Sequence, residues 1–221
     1  MKKFSKIIFA LLIVSFIQSQ VSIGGTPKSI LSNLDDNMQN IILPNIDIES
    51  LRLEDEIEEM NKNIPFRFGT PFEVDYNLDN SGQWIDTEEG RVWRLSITSE
   101  GAYSMNLIYD RFILPDGAEM FVYDENMTTV LGAFTSANNK DYQTFSTAPT
   151  KGNVTIIEYF EPYDVEFNGE LSIGSIIHGY KNVFFNDERG YGDSGSCNNN
   201  VNCSVGDDWT DEIRSVAMIL T

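Results

Sequence analysis

The sequence is poor in the side chains that most often hold metals or drive nucleophilic catalysis. Of its 221 residues one is histidine, His178, and two are cysteine, Cys197 and Cys203. Two thiols without a nearby histidine make an incomplete zinc shell. Acidic pairs such as Asp207-Asp208 and Glu54-Asp55 lack the spacing of a calcium loop, so no metal or other cofactor is expected. Basic residues are scarce as well: 15 Lys and Arg stand against 34 Asp and Glu, a formal net charge of −19. Phosphates repel such a chain, which argues against nucleic acid and anionic membranes as partners. Long helical periodicity is missing, which disfavours a doubly wound α/β fold. Past the start of the chain, no apolar run is long enough to span a bilayer.

What is present begins with export. Lys2, Lys3 and Lys6 lead into the apolar stretch 7–16, and Ser19-Gln20-Val21-Ser22 follows. Positive, apolar, then small and polar is the order of a cleavable signal peptide. Residues 1–20 are therefore predicted to be removed, leaving a soluble product that is secreted and has no membrane contact. Loss of the three signal lysines leaves 12 basic against 34 acidic side chains, a charge of −22. Outside the cytoplasm thiols tend to oxidise, and Cys197 and Cys203 taken alone read as one short-range bridge.

Four stretches follow from composition. Residues 21–70 are acidic and interrupted by Gly24-Gly25, Pro27, Pro44 and Pro65. Within 31–60, Asp35, Asp36, Asp47, Glu49, Glu54, Asp55, Glu56, Glu58 and Glu59 face Arg52 alone. That composition predicts a solvated, partly disordered leader, with a short helix over 47–60. Residues 71–183 read as strands and turns. Phe72-Glu-Val-Asp-Tyr76 alternates, Trp93, Leu95 and Ile97 oppose Arg94, Ser96 and Thr98, and Tyr103, Met105, Leu107 and Tyr109 share one face. Met120-Phe-Val-Tyr123 is apolar on both faces, as a buried central strand should be. Leu114-Pro-Asp-Gly117 is turn chemistry. Further strands are predicted at 130–134, 142–147, 154–160 and 171–178. Short strands punctuated in this way predict an all-β fold, an antiparallel β-sandwich. Residues 184–205 change again: 186–195 is polar and glycine-rich, the composition of a linker that a protease would nick. Residues 211–220 then begin a fresh apolar strand, whose unpaired edges suggest that the sequence is incomplete.

The candidate chemistry is thin. Gly192-Asp193-Ser194-Gly195 has the look of a serine nucleophile's surroundings, but such a serine needs a histidine base and a carboxylate behind it. His178, in Ile177-His178-Gly179-Tyr180, lies on the predicted last strand and reads as a hydrogen-bonded structural histidine. The aromatics Trp84, Trp93, Tyr103, Tyr109, Tyr123 and Tyr159 could form a sugar-stacking face, though at alternate strand positions they read as core. Asn126-Met-Thr, Asn153-Val-Thr and Asn202-Cys-Ser fit the glycosylation acceptor pattern.

From Gly192 the text becomes specific. Gly192-Asp-Ser-Gly-Ser-Cys197-Asn-Asn-Asn-Val-Asn-Cys203-Ser-Val-Gly-Asp-Asp-Trp-Thr-Asp-Glu-Ile-Arg-Ser-Val-Ala217 closely resembles the mature N-terminus of bacterial lysyl endopeptidases, secreted serine proteases of the trypsin-like double β-barrel fold. Trp93-Arg-Leu-Ser-Ile, Leu114-Pro-Asp-Gly-Ala, Glu158-Tyr-Phe-Glu-Pro162 and His178-Gly-Tyr-Lys181 resemble their propeptides. The resemblance implies that 71–183 is a propeptide domain, that 184–191 is a processing linker and that 192–221 is the first strand of a truncated protease barrel. Processing would fall among Arg189, Gly190, Tyr191 and Gly192; the family often has lysine before the cut, and Tyr191 departs from that. Cys197 and Cys203 would pair with cysteines further along, and the catalytic triad would lie past Thr221, so this chain has no catalytic residue to carry over. The partners implied are the chain's own downstream protease domain and, for the whole enzyme, protein substrates. The expectation is a latent precursor whose prodomain assists folding. The alternatives are a secreted β-sandwich binding module for carbohydrate or protein, and a free prodomain inhibitor without catalytic activity.

Overall fold

Alternation along the strands decides which side chains the fold buries. The computed structural model describes residues 22–35, 37–58 and 65–184. The signal, the processing residues 189–192, both cysteines, Ser194 and the strand predicted over 211–220 lie outside the described residues. By its internal contacts the chain divides into Met1–Val183 and Phe184–Thr221, and every element below belongs to the first unit. In order these are α1 (Lys28–Leu31), β1 (Asn40–Ile42), α2 (Ile48–Glu58), β2 (Gly69–Asn77), β3 (Gln83–Asp86), β4 (Gly90–Thr98) and β5 (Ser104–Ile113). Then come β6 (Glu119–Asp124), β7 (Val130–Phe134), β8 (Phe145–Ser146), β9 (Thr150–Lys151), β10 (Val154–Pro162) and β11 (Glu170–Gly179).

The strands form two sheets, as an all-β sandwich requires. The first runs β1-β4-β10-β6-β7 with β3 also on β4; the second runs β2-β11-β5-β8 with β9 also on β5. All pairings are antiparallel except β1 with β4. The inward sets meet in one core: Trp93, Leu95 and Ile97 from β4, Met105, Leu107 and Tyr109 from β5, Met120 and Val122 from β6, and Ile157 and Tyr159 from β10. Trp93 keeps its polar edge satisfied, its indole N–H donating to the Ser81 carbonyl at 2.8 Å. Gly82 makes that approach possible. Its φ is +70°, and a Cβ there would lie 2.4 Å from the indole.

The strand predicted over 142–147 shrinks to Phe145–Ser146. Gln143 takes a φ of +57° and its N–H donates to the Lys140 carbonyl at 2.9 Å, so the chain is still turning there. The helix predicted over 47–60 is α2. Asp47 caps it by accepting from the Ser50 N–H at 3.1 Å and the Ser50 hydroxyl at 2.7 Å, which satisfies donors a helix start leaves open. Those bonds also hold the Asp47 carboxyl below its ordinary value.

Arg94 and Ser96 do point away from Trp93 and Leu95, but not into water: both are buried. The acidic leader covers them. Ile23 and Gly24 exchange backbone bonds with Ala133 on β7, Ser96 N–H donates to the Gln39 carbonyl, and β1 joins β4. Under this cover lies a buried polar knot. The carboxylate of Glu158 accepts from the Ser29 N–H at 3.0 Å and from the Tyr123 hydroxyl at 3.1 Å, and lies 3.9 Å from the Arg94 guanidinium. Arg94 also donates to the Asp35 carbonyl at 2.6 Å. Burial and the neighbouring Glu158 push the Tyr123 hydroxyl up to about 12.

Candidate functional site

The residues predicted to be processed, 189–192, lie outside the described residues, and the stretch described before them ends at Phe184. β11 pairs with β2 so that Gly179 lies opposite Gly69. A Cβ on Gly69 would sit 2.8 Å from the His178 carbonyl oxygen, so glycine lets the two backbones close. That pairing lays residues 65–68 beside 180 and 181, and the Lys181 N–H donates to the Phe68 carbonyl at 3.1 Å. Helix α2 then supplies the group that gathers this corner. Its one buried side chain is Asp55, while Leu53 and Ile57 face outward.

Three donors converge on the Asp55 carboxylate. Arg67 Nε lies 2.8 Å from Oδ1, Lys181 Nζ 2.8 Å from Oδ2 and the Tyr180 hydroxyl 2.9 Å from Oδ2. Arg67 also reaches the Glu54 carboxylate at 3.1 Å and the Leu51 carbonyl at 3.3 Å. The ammonium of Lys181 lies 4.6 Å from the centre of the Phe66 ring, within cation–π range. Burial works against a charge on Asp55, but the bonds from Lys181, Tyr180 and Arg67 outweigh it and hold the carboxyl below its ordinary value. Burial, then the bond to Asp55, pushes the Tyr180 hydroxyl up to about 12. The Asp55 bond raises the pKa of Arg67. This is a charge-paired clasp that joins the leader, the strap before β2 and the exit of β11. Its carboxylate, ammonium and hydroxyl are engaged with one another.

His178 is three residues from Lys181 and fully buried. Its Nδ1 is 2.7 Å from the Ser99 hydroxyl, and the Phe72 ring meets it edge-on with centroids 6.4 Å apart. Burial lowers its pKa, so the ring is neutral at physiological pH. Among the described residues its ring bonds to Ser99 and to no carboxylate. Among the described residues no group of three or more His, Cys, Asp or Glu is placed to hold a metal ion, and no helix is long and apolar enough to cross a membrane.

Of the six aromatics weighed as a sugar face, Trp93, Tyr109, Tyr123 and Tyr159 are buried. Trp84 packs against the core and stacks under Arg91, whose guanidinium carbon lies 4.2 Å from the ring centre. Tyr103 is exposed at the foot of β5. These six therefore make no shared stacking face. In the acceptor pattern at Asn153, Thr155 is buried and bonded to Thr150 at 2.6 Å, whereas Asn126 is exposed on the turn after β6. The sequence places Asp55 in an acidic pair and a solvated leader, and the structure instead makes it the buried acceptor of the clasp. No local signal marks it, because its three donors come from residues 67, 180 and 181.

No family model matches this chain. The solved structure of a family 35 carbohydrate binding module from an environmental isolate is similar over 54% of this chain and 90% of that one, at 17% identity and a TM-score of 0.22. A TM-score that low assigns neither a fold nor a ligand.

Proposed function

We propose that this chain is the N-terminal precursor part of a secreted, lysyl-endopeptidase-like serine protease, and that its sandwich serves the protease as a folding aid and a latency device. The observation that carries the reading is the sequence of 192–217, where Cys197, Cys203, Gly206-Asp207 and Ile213-Arg-Ser-Val-Ala217 resemble in identity and spacing the mature start of that family. The geometry of the sandwich is compatible with an accessory role. Its one histidine is bonded to Ser99, and the polar site around Asp55 ties chain segments together. Both proposed roles use contacts that favour the prodomain-bound state and are lost on cleavage.

Reading the gene past the codon for Thr221 tests this. An open frame with a Thr-Ala-x-His-Cys segment followed by Gly-Asp-Ser-Gly-Gly is expected; a stop codon directly after Thr221 in an intact gene would sink the protease reading. Latency has its own test. The complete precursor, with its processing bond blocked, should hydrolyse a lysine ester far more slowly than the processed enzyme, and equal rates would remove the silencing role.

A further inference from the structure

The sequence puts a lysine at an unusual place. Residues 182–221 contain no lysine, so Lys181 is the last one in the 221 residues. It lies just past the end of β11 at Gly179, in backbone without helix or strand through Phe184. The boundary between the chain's two compact units follows at Val183 and Phe184. An irregular segment at the edge of a folded body is where endopeptidases bind, because they need the substrate backbone extended and free of a sheet. An enzyme that reads lysine also needs the ammonium in its own pocket. Here the ammonium is engaged elsewhere: 2.8 Å from Asp55 Oδ2 and over the Phe66 ring, with the Lys181 N–H tied to Phe68. The side chain is 18% exposed.

We infer that the Lys181–Asn182 peptide bond is a latent cleavage site for a lysine-specific endopeptidase, held shut by the clasp around Asp55. Hydrolysis adds one water across the bond: the acyl carbon of Lys181 leaves as a carboxylate and the nitrogen of Asn182 as an amine. The cut severs the unit Met1–Val183, less its last two residues, from everything downstream. The gate works because recognition and closure compete for one ammonium group. Only when α2 lets go can the side chain enter a protease pocket, so cleavage tracks the population of the opened form. Which enzyme cuts in life rests on the precursor reading above; the gate itself rests on Asp55, Phe66 and Lys181.

The test uses the full chain and an added lysine-specific endopeptidase at catalytic amounts, with cut sites timed by mass spectrometry. Lys28, Lys140 and Lys151 serve as internal references, since general unfolding opens all of them. In the wild type, cleavage after Lys181 should trail cleavage after Lys140, which lies outside helix and strand. Asp55→Asn should raise the Lys181 rate by at least about tenfold, as expected when cleavage follows the open population, with the reference rates unchanged. If Asp55→Asn opens every lysine alike, Phe66→Ala decides, because Phe66 is already exposed and its loss removes only the ring over the ammonium. Selective acceleration at Lys181 then supports the gate, and unchanged or uniform rates overturn it. Equal Lys181 rates in the wild type and Asp55→Asn also overturn it. Because the protease is added, a stop codon after Thr221 would defeat the precursor reading and leave this result standing.

Discussion

The Ser29 amide donates to the Glu158 carboxylate at 3.0 Å across 129 residues of chain. One bond therefore ties the acidic leader to the strand that runs through the middle of the first sheet. Removing its acceptor strands more than the amide, because Arg94 and the Tyr123 hydroxyl turn to the same carboxylate. Glu158→Ala is expected to cost about 3–5 kcal/mol, the usual penalty for leaving one partner of a buried ionic group behind. The midpoint of urea unfolding measures it, and hydrogen exchange at Ser29 should quicken. A loss below about 0.5 kcal/mol, the range of an ordinary surface change, would mean the knot is solvated.

Core and surface should respond very differently. Leu107 is fully buried in the shared core, and Leu107→Ala is expected to cost roughly 2–5 kcal/mol through lost burial and the cavity left behind. Tyr142 is 70% exposed, and Tyr142→Ala should stay within about 0.5 kcal/mol. Comparable losses in the two unfolding curves would contradict the sandwich packing.

Gly82→Ala joins two penalties at one position. The left-handed backbone disfavours any side chain, and the new methyl meets the Trp93 indole. The expected loss is about 1–3 kcal/mol, from backbone strain or from overpacking. Trp93 should also gain contact with water, seen as a red shift in tryptophan emission. An unshifted spectrum with unchanged stability would show that this turn yields freely.

The pH dependence has two windows of the same sign. His178 is favoured neutral in the folded state and its pKa is lowered from 6.5, so the stability it supports is whole above 6.5 and falls as acid is added below that. The sequence has one histidine, so a single imidazole NMR signal reports it, and a midpoint at or above 6.5 would be wrong for a buried ring. Asp55 is lowered from 3.8. Its contribution is present above 3.8 and lost as pH drops through the folded value. Stability should therefore bend first near neutrality and again in strong acid.

Much of the sandwich could be read from period-two patterning. The inward set Trp93, Leu95 and Ile97 and the doubly apolar Met120 to Tyr123 are local signals, and the structure places them in the core and in a central strand. The role of the leader was not legible. An acid-rich stretch reads as solvated, because composition cannot tell that Glu158 and Arg94 across the sheet need a lid, or that Asp55 has three donors waiting. The three residues of β1 are too few to show a period, and its parallel pairing with β4 has no local signature. The clasp joins residues 55, 67, 180 and 181, which only the fold brings together. By contrast, the burial of His178 and its need for a hydrogen-bond partner were readable, since it lies within an apolar strand.

Among the described residues β2 pairs with no strand but β11. A polypeptide is made from its N-terminus, so 69–77 must wait, unpaired, until 170–179 has been built and delivered. The second sheet is thus completed by its last strand to appear, and most of its ladder is non-local, a topology that forms slowly. A sandwich arranged this way stays open at one edge until 170–179 has been made, and its second sheet closes only then.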